Sequence, residues 1–247
     1  MRPRLLLMSV VGLVALAIGA LVLARPTPDD PPQPWYNRPP QTYPDVTNVA
    51  LAPGEDFDQR FASLAYGVHT FLWWNSTYRT WDLENVRLMN FAYVKQKFAW
   101  RDVQPTPHTW TWQLADEVVA ETAHRGRRVV ARLDTPPDWA IQPATDPALP
   151  PFDMDALADY CGNVAARYAG QIEAYQIWNE PNLAREWGEQ PPDPRAYVVL
   201  LARCAGAIRQ ADPNAIIISA GLSPTGTRTA EALPDEEFLW EMYAAGA

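Results

Sequence analysis

The stretch that decides the reading is QIEAYQIWNEPN, Gln171 to Asn182. A largely apolar, β-prone run enters Trp178-Asn179-Glu180-Pro181 with no polar spacer between. An apolar run of this length, bounded by turn residues, predicts a buried strand. Proline donates no ladder hydrogen bond and biases the preceding residue toward extended backbone, so the strand is expected to stop here with Glu180 extended. Strict alternation would send Asn179 and Glu180 to opposite faces. For both to reach one ligand, the strand must end or bulge at that point.

The same pattern repeats on either side. LAYGVHTFLWW (64–74) predicts a first strand, followed by a helix opened by Asp82 with Leu83, Val86 and Met89 on one face. FAYVKQKFAW (91–100) predicts the second strand, and a helix with Leu114, Val118 and Val119 inward ends at Gly126, where a left-handed residue is wanted. RRVVARLD (127–134) is the third strand and TPPDWA its loop. Leu157, Tyr160, Cys161, Val164 and Tyr168 mark the next helix, closed by Gly170 before the quoted strand. Asp193-Pro194 supplies an N-cap and a proline at the first helical position, ahead of a stripe of Tyr197, Leu200, Leu201, Cys204 and Ile208. NAIIISAGLSP (214–224) is the fifth strand, and DEEFLWEMYAAG the last helix.

Strands two to five are continuously apolar, as expected of a parallel sheet covered on both faces. Consecutive βα units build an open doubly wound sheet or a (β/α)8 barrel. A nucleotide-binding open sheet wants a glycine-rich turn after its first strand; FLWWNSTYRT has no glycine. Eight units at this spacing would need on the order of 300 residues. The expected fold is therefore α/β, a (β/α)8 TIM barrel truncated after about five units, over residues 62–247.

The N-terminus is a separate object. LLLMSVVGLVALAIGALVLA (5–24) carries no charge and is long enough to cross about 30 Å of hydrocarbon as a helix. Arg2 and Arg4 precede it, which favours export of the body C-terminal to it, and Val22-Leu23-Ala24 would serve for cleavage. Residues 1–25 are thus expected to be a signal anchor or signal peptide, with the body extracytoplasmic, either membrane-anchored or secreted. Residues 26–61 form a proline-rich linker, semi-rigid and extended. The formal net charge is −9, and Arg2, Arg4 and Arg25 account for three positive charges, so the remainder carries −12. Such a body repels nucleic-acid phosphates and anionic lipid headgroups and suits a neutral ligand. Contact with the membrane is expected through the N-terminal segment only. His69, His108 and His124 are scattered, so no metal site and no cofactor are expected. Cys161 and Cys204 each fall in mid-helix, as buried small apolar side chains or as a disulfide between neighbouring helices. Nothing in the sequence sets the oligomeric state.

In a parallel barrel the loops at the C-terminal strand ends form the active site. Glu180 occupies that place. Flanked by Trp178 and Pro181 its carboxyl is expected to be partly desolvated and to hold a proton at neutral pH, as a general acid must. Asn179 offers a donor and an acceptor, which suits a sugar hydroxyl. IWNEPN resembles the acid/base motif of the large clan of retaining glycoside hydrolases with (β/α)8 barrels, which includes the cellulase-like family five and the xylosidase/iduronidase-like family thirty-nine. The second- and third-strand texts, YVKQKFAWRDVQP and RVVARLDTPPDWA, resemble the clan as well. Lys95 stands where arginine is usual, and Gln104 where glutamate is usual.

The resemblance implies an oligo- or polysaccharide substrate cleaved at its O-glycosidic bonds with retention. Glu180 would be the acid/base and Asn179 the ligand of the sugar 2-hydroxyl. Trp139 and Trp100, in the loops after strands three and two, are candidates for stacking on sugar rings, as is at most one of Trp73 and Trp74. Trp178, Lys95, His69 and Asp134 complete the candidate set; His69 also reads as a satisfied core residue and Asp134 as a turn former. The clan's nucleophile is a glutamate ending strand seven, so it is expected beyond residue 247. Glu231, Glu236, Glu237 and Glu241 fall in or before the last helix, on the outer ring. The chain alone is expected to be inactive. The alternative is a non-catalytic carbohydrate-binding or degenerate barrel displayed at the cell surface.

Overall fold

The computed structural model describes residues 65–74, 76–142 and 151–247. The apolar run 5–24 and the linker 26–61 lie outside the described residues, among which no helix is long and apolar enough to cross a membrane.

Five strands form one parallel sheet: β1 (Gly67–Thr70), β2 (Tyr93–Ala99), β3 (Arg128–Asp134), β4 (Ile172–Ile177) and β5 (Ile216–Ile218). Their spatial order is their sequence order, β1-β2-β3-β4-β5. Each strand lies beside its predecessor, and right-handed crossovers then bring every connecting helix to the same side. That singly wound order is the one a closing barrel uses, and it decides between the two architectures open at the sequence level. The helices are α1 (Ser76–Leu88), α2 (Trp100–Val103), α3 (Gln113–His124), α4 (Met154–Arg167), α5 (Pro194–Ala211) and α6 (Asp235–Ala244).

The alternation of the strands sorts two faces. Val94, Phe98, Ala131, Leu133, Tyr175 and Ile177 are fully buried in one cluster with Leu83, Val118, Leu157, Val164 and Leu200 from the helices. Tyr160 donates from its hydroxyl to the Phe98 carbonyl (2.9 Å) and Tyr197 to that of Ile177 (3.0 Å), pinning α4 and α5 to the sheet. The opposite face carries His69, Lys95, Lys97, Arg132, Asp134 and Gln176. That face is more polar than a continuous apolar run implies, yet much of it is covered: Arg132, Asp134, Ala174 and Gln176 are buried.

The caps follow the sequence. Asp193 accepts from the Arg195 and Ala196 amides, and Asp153 from those of Asp155 and Ala156, each worth about 1 kcal/mol. Gly126 and Gly170 sit at φ +65° and +72°, where a Cβ is disfavoured. Several boundaries differ, β1 being confined to Gly67–Thr70. Helix α1 starts at Ser76, because buried Arg79 anchors its first turns through Glu117 (2.8 Å) and Glu121 (3.4 Å) of α3; Asp82 lies inside it. Asn90, at φ +59°, turns the chain after α1 and leaves Met89 exposed. The fifth strand shrinks to three half-buried residues that, among the described residues, pair with β4 alone.

Helices α4 and α5 pack closely. A Cβ at Gly162 would meet the Ala207 methyl at 3.3 Å, so small residues set the approach. It brings the fully buried sulfurs of Cys161 and Cys204 to 2.8 Å, both as thiols.

Candidate active site

The C-terminal end of β4 runs one residue past the strand proper, since the Trp178 amide donates to the Leu133 carbonyl of β3 (2.9 Å). There the backbone leaves the sheet through two left-handed residues, Trp178 at φ +72° and Glu180 at φ +44°. The extended geometry expected of Glu180 ahead of proline is thus overturned. Left-handed backbone at non-glycine residues costs on the order of 1–3 kcal/mol each and persists only where its surroundings over-determine it.

Those surroundings are visible. The Glu180 amide donates to the Gly221 carbonyl (2.9 Å), and the Glu180 carbonyl accepts from Leu183 (3.0 Å). Asn182, wholly buried, donates from its side chain to the carbonyls of Ser223 (2.9 Å) and Leu233 (3.1 Å) and accepts from the Ser223 amide (2.9 Å). The loop after β5 is therefore stapled to the turn after β4. This is also how the alternation problem is resolved: the strand ends before Asn179 and Glu180.

Asn179 is held from below. Arg132 Nη1 donates to its Oδ1 (3.0 Å), which leaves the amide N–H group to donate to a ligand. Arg132 also pairs with Asp134 (2.8 Å), whose other neighbours are Lys97 (3.8 Å) and the Thr135 hydroxyl (2.9 Å). Burial raises the Asp134 carboxyl above its ordinary range, and the charges of Arg132 and Lys97 work against that. Asp134 is neither a surface turn former nor an open ligand; it is the counter-ion of the residue that orients Asn179.

The Glu180 side chain is 30% exposed, and the guanidinium of exposed Arg185 lies 3.4 Å from it. It is half-buried, as expected of a carboxyl at the strand end, though the Trp178 ring does not cover it. The Trp178 ring is buried, stacked on Phe152 (centroids 4.4 Å, 26°), with its N–H given to the Glu186 carbonyl (2.8 Å). Trp178 therefore presents no open ring face for stacking and packs the loop instead. Trp100 is corrected likewise: wholly buried, it stacks on Tyr160 (5.6 Å) and bonds to Gln104 (2.8 Å), because α2 tucks it under the sheet end. Half-buried Trp139 packs edge-on against Trp100 and donates to the Gln104 carbonyl (3.2 Å). Gln104 is the hub of this loop rather than a ligand.

His69 is not a core residue. It lies exposed on the polar face beside Lys95, and its pKa is lowered to about 4 by partial shielding and by the charges of Arg132, Lys95 and Lys97. Lys95 is lowered too, by burial and by Arg132. Trp74, like Phe71, is an exposed aromatic after β1. Its N–H bonds to Asp102 (3.3 Å), the Lys97 ammonium sits 5.9 Å from its centroid, and half its surface is open. Trp73 is the inward one. The sequence reading passed over Arg132, Asn182 and Arg185. The signal for Arg132 was there: an arginine two residues before the strand-ending Asp134 must share its face. Glu236, Glu237 and Glu241 lie in α6 and Glu231 just before it.

No protein-family model matches the chain, and no curated protein matches it in sequence. Solved structures match its fold. A family 39 glycoside hydrolase from Bacteroides cellulosilyticus WH2 superposes with a TM-score of 0.51 at 20% identity, over 63% of this chain and 32% of that one. An exo-beta-1,4-mannosidase from Opitutaceae bacterium strain TAV5 gives 0.52 at 19%, over 64% and 31%. Xylanase XynB from Paenibacillus barcinonensis gives 0.50 at 18%, over 74% and 55%. The chain thus spans between about a third and just over half of the length of these structures. What it shares with them is the fold: five βα units of the kind that build (β/α)8 glycoside hydrolases, as the IWNEPN resemblance implied.

Proposed function

We propose that this chain carries the acid/base half of a retaining glycoside hydrolase. Glu180 protonates the leaving glycosidic oxygen and, as the carboxylate so formed, later takes a proton from the attacking water. The observation that carries the reading is the pair of left-handed residues that turn Asn179 and Glu180 out of β4, with Arg132 holding the Asn179 amide. Asn179 then donates to a hydroxyl of the sugar bound at the cleavage point. Trp74 offers an open ring face on which a further sugar ring can stack. The nucleophile is a second carboxylate, about 5–5.5 Å from Glu180 in a retaining enzyme, on a strand outside this chain. Substrate is an oligo- or polysaccharide, and the body works extracytoplasmically, anchored or secreted through residues 1–25.

The test is to express the reading frame including any codons after Ala247 and assay aryl glycosides. With a poor leaving group, Glu180→Gln is expected to lower kcat by 10²–10⁴. With a dinitrophenyl leaving group, which departs without a proton, the first step should survive. Equal loss on both substrates sinks the acid role. The alternative, a non-catalytic carbohydrate-binding barrel, is favoured by exposed Trp74; it predicts sugar binding lost in Trp74→Ala and no turnover at all.

A further inference from the structure

Two thiols sit where nothing in the proposed reaction uses them. Cys161 lies in the middle of α4 and Cys204 in the middle of α5, the two most closely packed helices among the described residues, and both side chains are wholly buried. Their sulfurs are 2.8 Å apart. Unbonded carbon atoms rest about 3.5–4.0 Å apart, and sulfur is larger, so this approach is closer than packing alone selects. It is not an accident of flexible side chains. The helices are held on both sides of the pair: Gly162 against Ala207 sets their spacing, while the Tyr160 and Tyr197 hydroxyls fix both helices to the sheet. Asp155 and Arg203 add an ion pair across the same two helices.

We propose that Cys161 and Cys204 form a disulfide in the mature protein, tying α4 to α5 behind the turn that carries Glu180. Each thiol gives up one proton and one electron. The S–S bond forms as a donor disulfide, carried by a protein or by a small molecule such as oxidised glutathione, is reduced to two thiols. A cytosolic protein would keep the pair reduced. This inference meets the export reading only in the cell, where export supplies the oxidant, and stands apart from the glycosidase reading.

Burial bears on when the bond forms. No donor reaches two wholly buried sulfurs in the packed interface, and burial together with the neighbouring thiol pushes the Cys161 thiol well above its ordinary range, away from the reactive thiolate. Oxidation must therefore accompany folding, before α4 and α5 close. Once formed, the bond is shielded from thiols in the same way.

The full 247-residue chain is refolded once with oxidised and reduced glutathione and once with a strong reductant. Each sample is then denatured in excess alkylating reagent and weighed intact. After oxidative refolding, a mass lower by two hydrogens and free of adducts is expected; the reduced sample should carry two adducts. Two adducts after oxidative refolding would overturn the proposal, as would adduct-free dimers joined between chains. The thermal midpoint supplies a second reading. Closing a 43-residue separation should raise it by on the order of 10 °C over the reduced form, and Cys161→Ser should abolish the difference. Equal midpoints for the oxidised and reduced forms would count against a native-geometry bond. Neither reading uses an activity assay, so failure of the disulfide leaves the catalytic reading untouched, and loss of the catalytic reading leaves the disulfide standing.

Discussion

Arg132 serves two partners at once, the Asn179 amide and the Asp134 carboxylate, from a position 8% exposed. Removing it leaves Asp134 buried without its closest counter-ion. Arg132→Met is expected to lower unfolding free energy by about 3–5 kcal/mol, and Asp134→Asn in the same chain should recover part of that loss; denaturant midpoints check both. An additive double variant would break the coupling. His69 tests the same charge cluster by pH. Its folded pKa of about 4 lies below the ordinary 6.5, so between those values the unfolded chain binds more protons. Its contribution to stability is complete above pH 6.5 and is lost as pH falls toward 4. His69→Gln should flatten that limb of the stability profile, as urea midpoints across pH 4–7 would record.

At the scale of elements, the turn after β4 depends on the loop after β5. Asn182 makes three side-chain hydrogen bonds there with no exposed surface. Asn182→Ala is expected to cost about 1–3 kcal/mol and to speed hydrogen exchange of the Glu180 amide, which donates to Gly221 across the same junction. Unchanged exchange would mean that the staple does not hold the turn. This dependence also explains what the sequence could convey. The strands, the Asp193 cap and the glycine stops are local chemistry, and each was legible within a few residues. The exit of Asn179 and Glu180 toward one side could be stated as a requirement, but its means, two left-handed residues, could not: Pro181 argued for the opposite backbone. Trp100 and Trp178 lie just past strand ends, where a tryptophan is expected to reach a ligand, yet their neighbours Tyr160 and Phe152 come from elsewhere in the chain and bury them. Sequence position chose the loop; tertiary packing chose the direction of the ring.

At the scale of the molecule, many of the exposed large apolar side chains among the described residues lie toward the margins of the sheet. Beside β1, the exposed side chains include Tyr66, Phe71, Trp81, Leu88 and Met89; at the other end, Leu239 and Tyr243 of α6 are exposed. Among the described residues β1 and β5 each pair with one strand only. Edges of this kind recruit other chains. The purified 247-residue chain is expected to self-associate with rising concentration and to show no hydrolysis of aryl glycosides; light scattering and a rate assay check the two. A monodisperse, active monomer would overturn both. The sequential strand order has one more consequence, and it concerns time. Every strand pairs with its predecessor across 26 to 44 residues, so each unit can dock as soon as it is made. The turn bearing Glu180 is the exception. Its staple waits for Ser223 and Leu233, synthesised some 40 to 50 residues later. During synthesis, then, the carboxylate passes through an interval in which its strand is already seated while its backbone still swings free. A ribosome-bound chain halted between Ile177 and Ser223 would display a sheet with an unformed site.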